Sequence, residues 1–261
     1  MTDLQDILSR INPPQEHQSK KKILIYGPSG VGKTSLYDGI KDALILDVEE
    51  GTSVLRKKEE MQEYGTRIFP LKSWEDLNGV FKLLESGQMT FTNIVLDSIT
   101  DMVELCKDHV LETQQRRRVS DETPSQQDYG VISERMRKML RSFRSLDANI
   151  VYIARERHLK DEETGAERVR PDVSGKLQDD LPGAMDVTVY MRANNEGTRF
   201  AGFNLTGKYL AKDRTHQFPD YIENPTWADF EKALPELVPA QYRGEDAEDT
   251  VSLEALEAAA T

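Results

Sequence analysis

The chain has 261 residues, of which 38% are hydrophobic and 31% are charged, and its formal net charge is −12. This length and balance indicate a folded domain with a sizeable core and exclude a disordered or fibrous chain. The single cysteine, Cys106, excludes an intramolecular disulfide, and the absence of a long apolar run predicts a cytoplasmic protein without a membrane partner.

The first twenty residues are predicted to form a short amphipathic helix and a polar linker. Apolar residues recur at helical spacing from Leu4 to Ile11, and Pro13 and Pro14 end the pattern. The apolar face of this helix can pack either on the chain's own body or on a neighbouring subunit. We therefore separate residues 1–20 from a main domain that we expect to span residues 21–222.

A phosphate-binding motif follows the first predicted strand. The sequence fits the pattern G-x-x-x-x-G-K-[ST], in which glycines let backbone N–H groups turn inward toward phosphates. Lys33 would reach the β- and γ-phosphates of ATP, and the Thr34 hydroxyl would bind Mg²⁺. A glycine-rich turn without a ligand is the alternative. The predicted nucleotide-binding residues are Gly27, Pro28, Ser29, Gly30, Val31, Gly32, Lys33, Thr34 and Ser35.

Strands and helices alternate through the first two thirds of the chain. The predicted strands are 23–26, 43–47, 67–69, 93–97, 150–154, 187–191, 199–205 and 209–211. The predicted helices are 33–41, 50–64, 74–86, 101–114, 131–146 and 227–237. This order predicts an α/β fold with a mostly parallel twisted sheet and helices on both faces.

Two of these strands lead to acidic residues, Glu49 and Asp97. The carboxyl ends of strands in an open α/β sheet face the ligand. Asp97 would therefore hold Mg²⁺ beside Thr34, unless it only caps the following helix. Glu49 would act as the general base on the attacking water, with Glu50 as its rival and a solvated acidic turn as the alternative.

These motifs together resemble the RecA-type recombinase core. The chain has the P-loop, a strand ending in Asp47-Val48-Glu49, the sequence Ile94-Val95-Leu96-Asp97-Ser98, and later Lys212-Asp213-Arg214 before Pro219. The chain resembles in particular the compact RecA-like ATPases of tailed bacteriophages that act as single-strand annealing proteins. The similarity spans about 22–222.

The resemblance implies an activity, cofactors and partners. It implies a magnesium-dependent ATPase that binds single-stranded DNA, assembles into a homo-oligomeric ring or filament, and lies in the host cell cytoplasm if phage-encoded. A single-strand binding protein is a candidate partner. In RecA, a Lys-x-Lys pair enters the ATP site of the adjacent subunit, which implies that Lys212 and Arg214 act in trans. A surface salt bridge is the alternative for these two cations.

Positive charge clusters in two segments that are predicted as loops and that correspond by position to the DNA-facing loops of the RecA core. Loops of this length inside a compact domain are functional or disordered. Tyr129 is the one candidate for a base-stacking platform there, so we expect mainly electrostatic binding of single-stranded DNA. The predicted DNA-binding residues are Arg116, Arg117, Arg118, Arg157, Lys160, Arg168, Arg170 and Lys176.

The chain departs from RecA in two places. Where RecA-type proteins carry an Asn-Gln pair that senses the γ-phosphate, this chain has Ala154-Arg155, so Arg155 is either a cationic sensor or the relay is missing. The DNA-gathering C-terminal domain is replaced over 223–261 by a helix and an acidic tail predicted to be disordered. The tail either competes with polyanions for basic patches or only confers solubility.

Two other functions fit the motifs. A P-loop kinase or another nucleotide-handling enzyme that does not act on DNA would use the basic segment after Arg155 as a lid. A nucleotide-gated scaffold would bind partners and scarcely turn over.

Overall fold

The computed structural model describes residues 20–113, 123–160, 165–173 and 175–243. The predicted N-terminal helix, the predicted DNA-binding residues Arg116, Arg117 and Arg118, and the acidic tail lie outside these ranges.

The strands form one sheet, and its mostly parallel pairing agrees with the predicted alternation of strands and helices. The strands are β1 (Lys22–Gly27), β2 (Ala43–Asp47), β3 (Arg67–Pro70), β4 (Asn93–Asp97), β5 (Asn149–Lys160), β6 (Glu167–Pro171), β7 (Val187–Ala193), β8 (Arg199–Gly202), β9 (Lys212–Asp213) and β10 (Tyr221–Glu223). Their order is β10-β8-β7-β1-β5-β4-β2-β3, with β6 beside β5 and β9 beside β7. The six strands from β7 to β3 are parallel, whereas β6, β8, β9 and β10 pair antiparallel.

Helices connect the parallel strands. They are α1 (Lys33–Leu36), α2 (Lys58–Glu63), α3 (Trp74–Glu85), α4 (Ile99–Thr113), α5 (Gln126–Arg144), α6 (Leu177–Gly183) and α7 (Trp227–Ala233). Short 3-10 helices cover Gly51–Val54, Pro235–Leu237 and Ala240–Tyr242. Within the described ranges, no helix has both the length and the hydropathy of a membrane span.

The sheet has a hydrophobic layer on each face. In β1, Leu24 and Tyr26 belong to the layer that α3, α4 and α5 cover, whereas Ile23 and Ile25 belong to the layer under α1 and α7. This alternation follows from the period of two along a strand. All four side chains are fully buried. The predicted α/β class, with a mostly parallel sheet and helices on both faces, is confirmed.

The basic segment after Ala154 is not the loop that we predicted. β5 continues to Lys160 and forms an antiparallel hairpin with β6, and α6 follows. Pairing in the hairpin satisfies the backbone groups that the two strands turn toward each other. Few side chains of the hairpin are apolar. Val169 is buried, whereas most of its neighbours in the hairpin are exposed. The many charged residues therefore obscure the alternation of polar and apolar residues that would have indicated a strand.

Helix α1 ends earlier than we predicted. The helix ends at Leu36, and Gly39 has φ +95°, a conformation that glycine adopts without strain and that a helix continuing to residue 41 could not contain. The Asp38 carboxylate accepts hydrogen bonds from the backbone N–H groups of Arg56 and Lys57 at 3.0–3.2 Å. These bonds tie the end of α1 to the segment before α2.

Candidate nucleotide site

The predicted P-loop forms a backbone cradle at the carboxyl end of β1. Gly30 and Gly32 have φ +77° and +93°, which turn the chain sharply between Pro28 and Lys33. An ideal Cβ on Gly27 would lie 2.2 Å from the Met191 carbonyl oxygen, so only glycine fits there. Ser29 and Val31 lie within the turn, and Ser35 lies in α1. Consecutive N–H groups in such a turn form a concave anion site.

Lys33 lies folded into this cradle. Its ammonium group donates hydrogen bonds to the carbonyl oxygens of Gly27 at 3.0 Å and Pro28 at 2.7 Å. Burial lowers the pKa of Lys33, and the Asp97 carboxylate opposes that shift. Phosphate oxygens would provide stronger, charge-assisted acceptors than these two carbonyls.

Asp97 is the buried acidic group of the site. Its Oδ2 atom accepts hydrogen bonds from the Thr34 hydroxyl and the Tyr37 hydroxyl, both at 2.7 Å. Burial raises the pKa of Asp97, because desolvation disfavours the carboxylate. Burial and the adjacent Asp97 raise the pKa of Tyr37 well above its usual range. The adjacent oxygens of Thr34 and Asp97 are the kind of ligand that a hard divalent cation such as Mg²⁺ prefers.

Asp47 fixes the loop that carries Glu49. Its buried carboxylate accepts hydrogen bonds from the backbone N–H of Gly51 at 3.0 Å and from the Thr52 hydroxyl at 2.6 Å. Glu50 has φ +55°, so the chain turns there. The structure thus holds Glu49 at the same sheet edge as Asp97, and both Glu49 and its rival Glu50 are exposed in this turn.

Glu49 belongs to a network with Asp101 and Arg155. Arg155 Nη1 lies 3.4 Å from Glu49 Oε1, and the same guanidinium pairs with Asp101, which also accepts from the Ser98 hydroxyl. A hydrogen bond with Asp101, followed by burial, raises the pKa of Glu49 to about 7. A carboxylate with this pKa is suited to general-base chemistry near neutral pH.

Lys212 and Arg214 lie far from the P-loop of their own chain. Lys212 pairs with Thr188, which pairs with Leu24, three residues before Gly27 and therefore about 10 Å away along the sheet. Lys212 and Arg214 donate hydrogen bonds to the same Gly183 carbonyl at 2.9 and 2.7 Å. Neither forms an ion pair with another described residue. The two cations therefore point the same way at the surface.

The described members of the predicted DNA-binding set occupy two environments. Arg157, Lys160, Arg168 and Lys176 are exposed, and the nearest acidic oxygen to Arg157 is that of Asp172, at 3.9 Å. Lys160, Arg168 and Lys176 form no ion pair with another residue in the described ranges.

Arg170 does not fit the predicted DNA-binding role. It is only 9% exposed, and its guanidinium donates hydrogen bonds to the carbonyl oxygens of Val169 at 2.8 Å and Lys208 at 3.1 Å. Its Nε atom lies 3.4 Å from Asp179 Oδ1 on α6. Arg170 is therefore a structural residue, and the prediction that it faces DNA is wrong.

Three residues of the network were missed in the sequence. Tyr37 lies one helical turn after Thr34, so its spacing was a usable signal. Asp47 was visible only as the end of a strand. Asp101 lies in the first turn of α4, where an acidic residue is ordinarily explained as part of the helix cap. Only the sheet geometry brings it to Arg155.

Comparison with known proteins gives a family match. Residues 19–215 match the family described as an AAA domain. Comparison with curated proteins gives no match. Among solved structures, the chain is similar to the crystal structure of the RadB recombinase, with 15% sequence identity and a TM-score of 0.45. That alignment covers 78% of this chain and 86% of the other.

Proposed function

Because the chain belongs to the AAA domain family of P-loop ATPases, we propose that it hydrolyses MgATP in DNA recombination. In this proposal it binds single-stranded DNA and promotes annealing or pairing, as do the tailed-phage proteins that it resembles. The observation that carries the proposal is that Lys33, Asp97 and Glu49 lie at one edge of the sheet, the edge from which the β5–β6 hairpin projects.

Hydrolysis would use the site residues in distinct roles. Lys33 would leave its two carbonyl acceptors and bind the β- and γ-phosphates, and Thr34 and Asp97 would hold Mg²⁺. The bound metal ion would supply positive charge to the phosphate oxygens. Glu49 would take a proton from water as the water oxygen bonds to the γ-phosphorus and the bond to the bridging oxygen breaks. ADP and inorganic phosphate would then leave.

Lys212 and Arg214 would complete the site of an adjacent subunit. They lie too far from their own P-loop to contact its nucleotide, and two cations that converge on one carbonyl are positioned to stabilise a common anion. In a head-to-tail assembly, each subunit would lend these cations to the next. This arrangement requires a homo-oligomer, either a ring or a filament.

Single-stranded DNA would bind along the hairpin. The pairing of β5 with β1 ends at Arg155, and the hairpin continues beyond the sheet with Arg157 and Arg168 exposed. A cleft of about 410 Å³ beside it is lined by Arg157 and by Tyr129, which is 55% exposed. Cations would bind the phosphates while a base stacks on Tyr129.

The proposal is tested by measuring ATP hydrolysis with and without single-stranded DNA. We expect DNA to stimulate turnover, Lys33→Ala to abolish ATP binding, and Lys212→Ala to abolish turnover while ATP binding persists. An ATPase that ignores DNA and requires an added phosphoryl acceptor would identify a kinase instead. A protein that binds ATP and partners but scarcely hydrolyses ATP would be a nucleotide-gated scaffold.

Mixing the two inactive variants tests action in trans. In a random head-to-tail mixture of Lys33→Ala and Lys212→Ala subunits, roughly a quarter of the interfaces combine an intact P-loop with an intact Lys212. We expect activity to return in the mixture. A mixture as inactive as its components, from subunits that still co-assemble in light scattering, would refute the lending of Lys212 between subunits.

A further inference from the structure

We propose that Arg199 binds the α-phosphate of the nucleotide in cis, from the side of the P-loop opposite to Asp97. This inference rests on the proposed nucleotide site and adds a residue to it. Arg199 begins β8, and it lies 167 residues after Gly32 in the sequence. No motif in the sequence connects the two positions.

The Arg199 side chain lies against the P-loop glycine. An ideal Cβ on Gly32 would be 2.7 Å from Arg199 Nη1 and 3.3 Å from Arg199 Cδ. The guanidinium group therefore packs directly over the Gly32 backbone, in the space that a side chain would fill. This contact brings a permanent positive charge to the wall of the phosphate cradle.

The backbone of Arg199 is held firmly. In the β7–β8 pairing it lies opposite Ala193, its N–H donates to Asn224 Oδ1 at 3.2 Å, and its carbonyl accepts from the Asn224 N–H at 2.7 Å. The side chain is half-buried and forms no ion pair with another described residue. Because a partly desolvated guanidinium without an acidic partner is costly, this position favours an anionic ligand.

Sheet order identifies which phosphate Arg199 would contact. Asp97 and Glu49 follow β4 and β2, which lie on the β5 side of β1, whereas Arg199 lies on the β7 side. The γ-phosphate must lie near Glu49, where the attacking water would be activated. The nucleotide would then extend across the P-loop toward β8, which brings the α-phosphate to Arg199.

The test measures nucleotide affinity of the full-length chain with fluorescent N-methylanthraniloyl ADP, and unlabelled ATP as competitor. Arg199→Gln keeps a polar side chain but shortens it and removes its charge, and we expect ADP and ATP affinities to fall together by about tenfold or more. Arg199→Lys should keep part of the affinity. In ATP hydrolysis, Arg199→Gln should raise KM while kcat at saturation changes little.

Arg192→Gln is the matched control, because Arg192 is exposed on the adjacent strand with its guanidinium over the Phe200 ring at 5.7 Å. It should bind ADP as the unmodified chain does. Unchanged ADP affinity in Arg199→Gln, or a loss confined to ATP, would overturn the α-phosphate role. A lowered melting temperature without nucleotide, with affinity lost equally in Arg199→Lys, would reveal a structural role instead. If the unmodified chain binds neither nucleotide, the proposed function itself fails.

Discussion

Arg155 Nη1 lies 3.4 Å from Glu49 Oε1, so the candidate base after β2 and a cation from β5, two strands away, form one unit. The same guanidinium pairs with Asp101, and these two neighbours influence Glu49 in opposite directions. The hydrogen bond and the charge of Asp101 raise the pKa of Glu49, whereas the charge of Arg155 lowers it. The role of Arg155 as a cationic sensor of the γ-phosphate stays a prediction.

The pH dependence of ATP hydrolysis should report this balance. A general base acts as the carboxylate, so kcat/KM should fall as the pH drops below the Glu49 pKa of about 7 and should level off above it. Arg155→Ala should move this limb to higher pH, because it removes the charge that lowers the pKa. Asp101→Asn should move the limb to lower pH. Rates measured between about pH 5.5 and 9 provide the comparison.

Two glutamine variants serve as the controls for that experiment. Glu49→Gln should lower kcat by about 100-fold or more, whereas Glu50→Gln should leave it nearly unchanged. If the acid limbs of the pH profiles coincide in all variants, a group other than Glu49 titrates. If Glu50→Gln lowers kcat as much as Glu49→Gln does, the base is Glu50.

Removing the Tyr37 hydroxyl should weaken the use of magnesium. Its hydrogen bond to Asp97 lowers the pKa of that carboxyl group and orients it, so Tyr37→Phe should leave Asp97 a poorer metal ligand. We expect the Mg²⁺ concentration for half-maximal ATP hydrolysis to rise by about tenfold. Tyr152→Phe is the control, because its buried hydroxyl donates to the Leu140 carbonyl at 3.0 Å, in the layer under the helices. Identical Mg²⁺ curves for the two variants would contradict a role for Tyr37 in the metal site.

The exposed hairpin cations should set the affinity for single-stranded DNA and its dependence on salt. Each phosphate that the protein no longer binds should reduce the slope of log affinity against log salt by about 0.7. The Arg157→Ala/Arg168→Ala variant should therefore bind more weakly and with a flatter slope. Fluorescence anisotropy of a labelled oligonucleotide at several salt concentrations measures both quantities.

Two single substitutions separate this effect from a general loss of charge. Arg56→Ala removes an exposed cation near α2 and should change neither quantity. Arg170→Ala should instead lower the melting temperature, because it removes the buried guanidinium that donates to the Val169 and Lys208 carbonyls, at a cost of about 1–3 kcal/mol. A normal salt slope in the double variant would exclude the hairpin from the DNA-binding surface.

Local patterns in the sequence predicted the centre of the sheet well. β2 and β4 begin and end at the predicted residues, because their continuous apolar runs are buried on both faces and end in acidic residues at the site. The predicted helix 74–86 likewise begins where α3 does, after Ser73, whose hydroxyl accepts from the Asp76 N–H at 3.1 Å. Burial and capping leave their mark within a few residues, so a sequence reveals them.

Local sequence patterns could not predict the contacts that strand pairing creates. Arg199 reaches Gly32 only because β7 and β8 pair antiparallel beside β1, and Arg170 is buried only because the hairpin turns it inward. The residues next to Arg199 and Arg170 in the sequence do not distinguish these two arginines from exposed ones. Tyr37 had a visible spacing, but a buried aromatic side chain on a helix is ordinarily explained by packing alone.

Strand β5 has a mechanical consequence. Its first half is clamped between β1 and β4, Arg155 lies where it leaves the sheet, and its second half is one arm of the hairpin. The twelve residues of this unbroken strand would therefore move as one rigid arm that pivots near Arg155, at the edge of the sheet that holds the candidate site. If cleavage of the triphosphate tilts the strand at Arg155, then Lys160 and its partner Glu167, at the far end of the described pairing, would move further than the site itself.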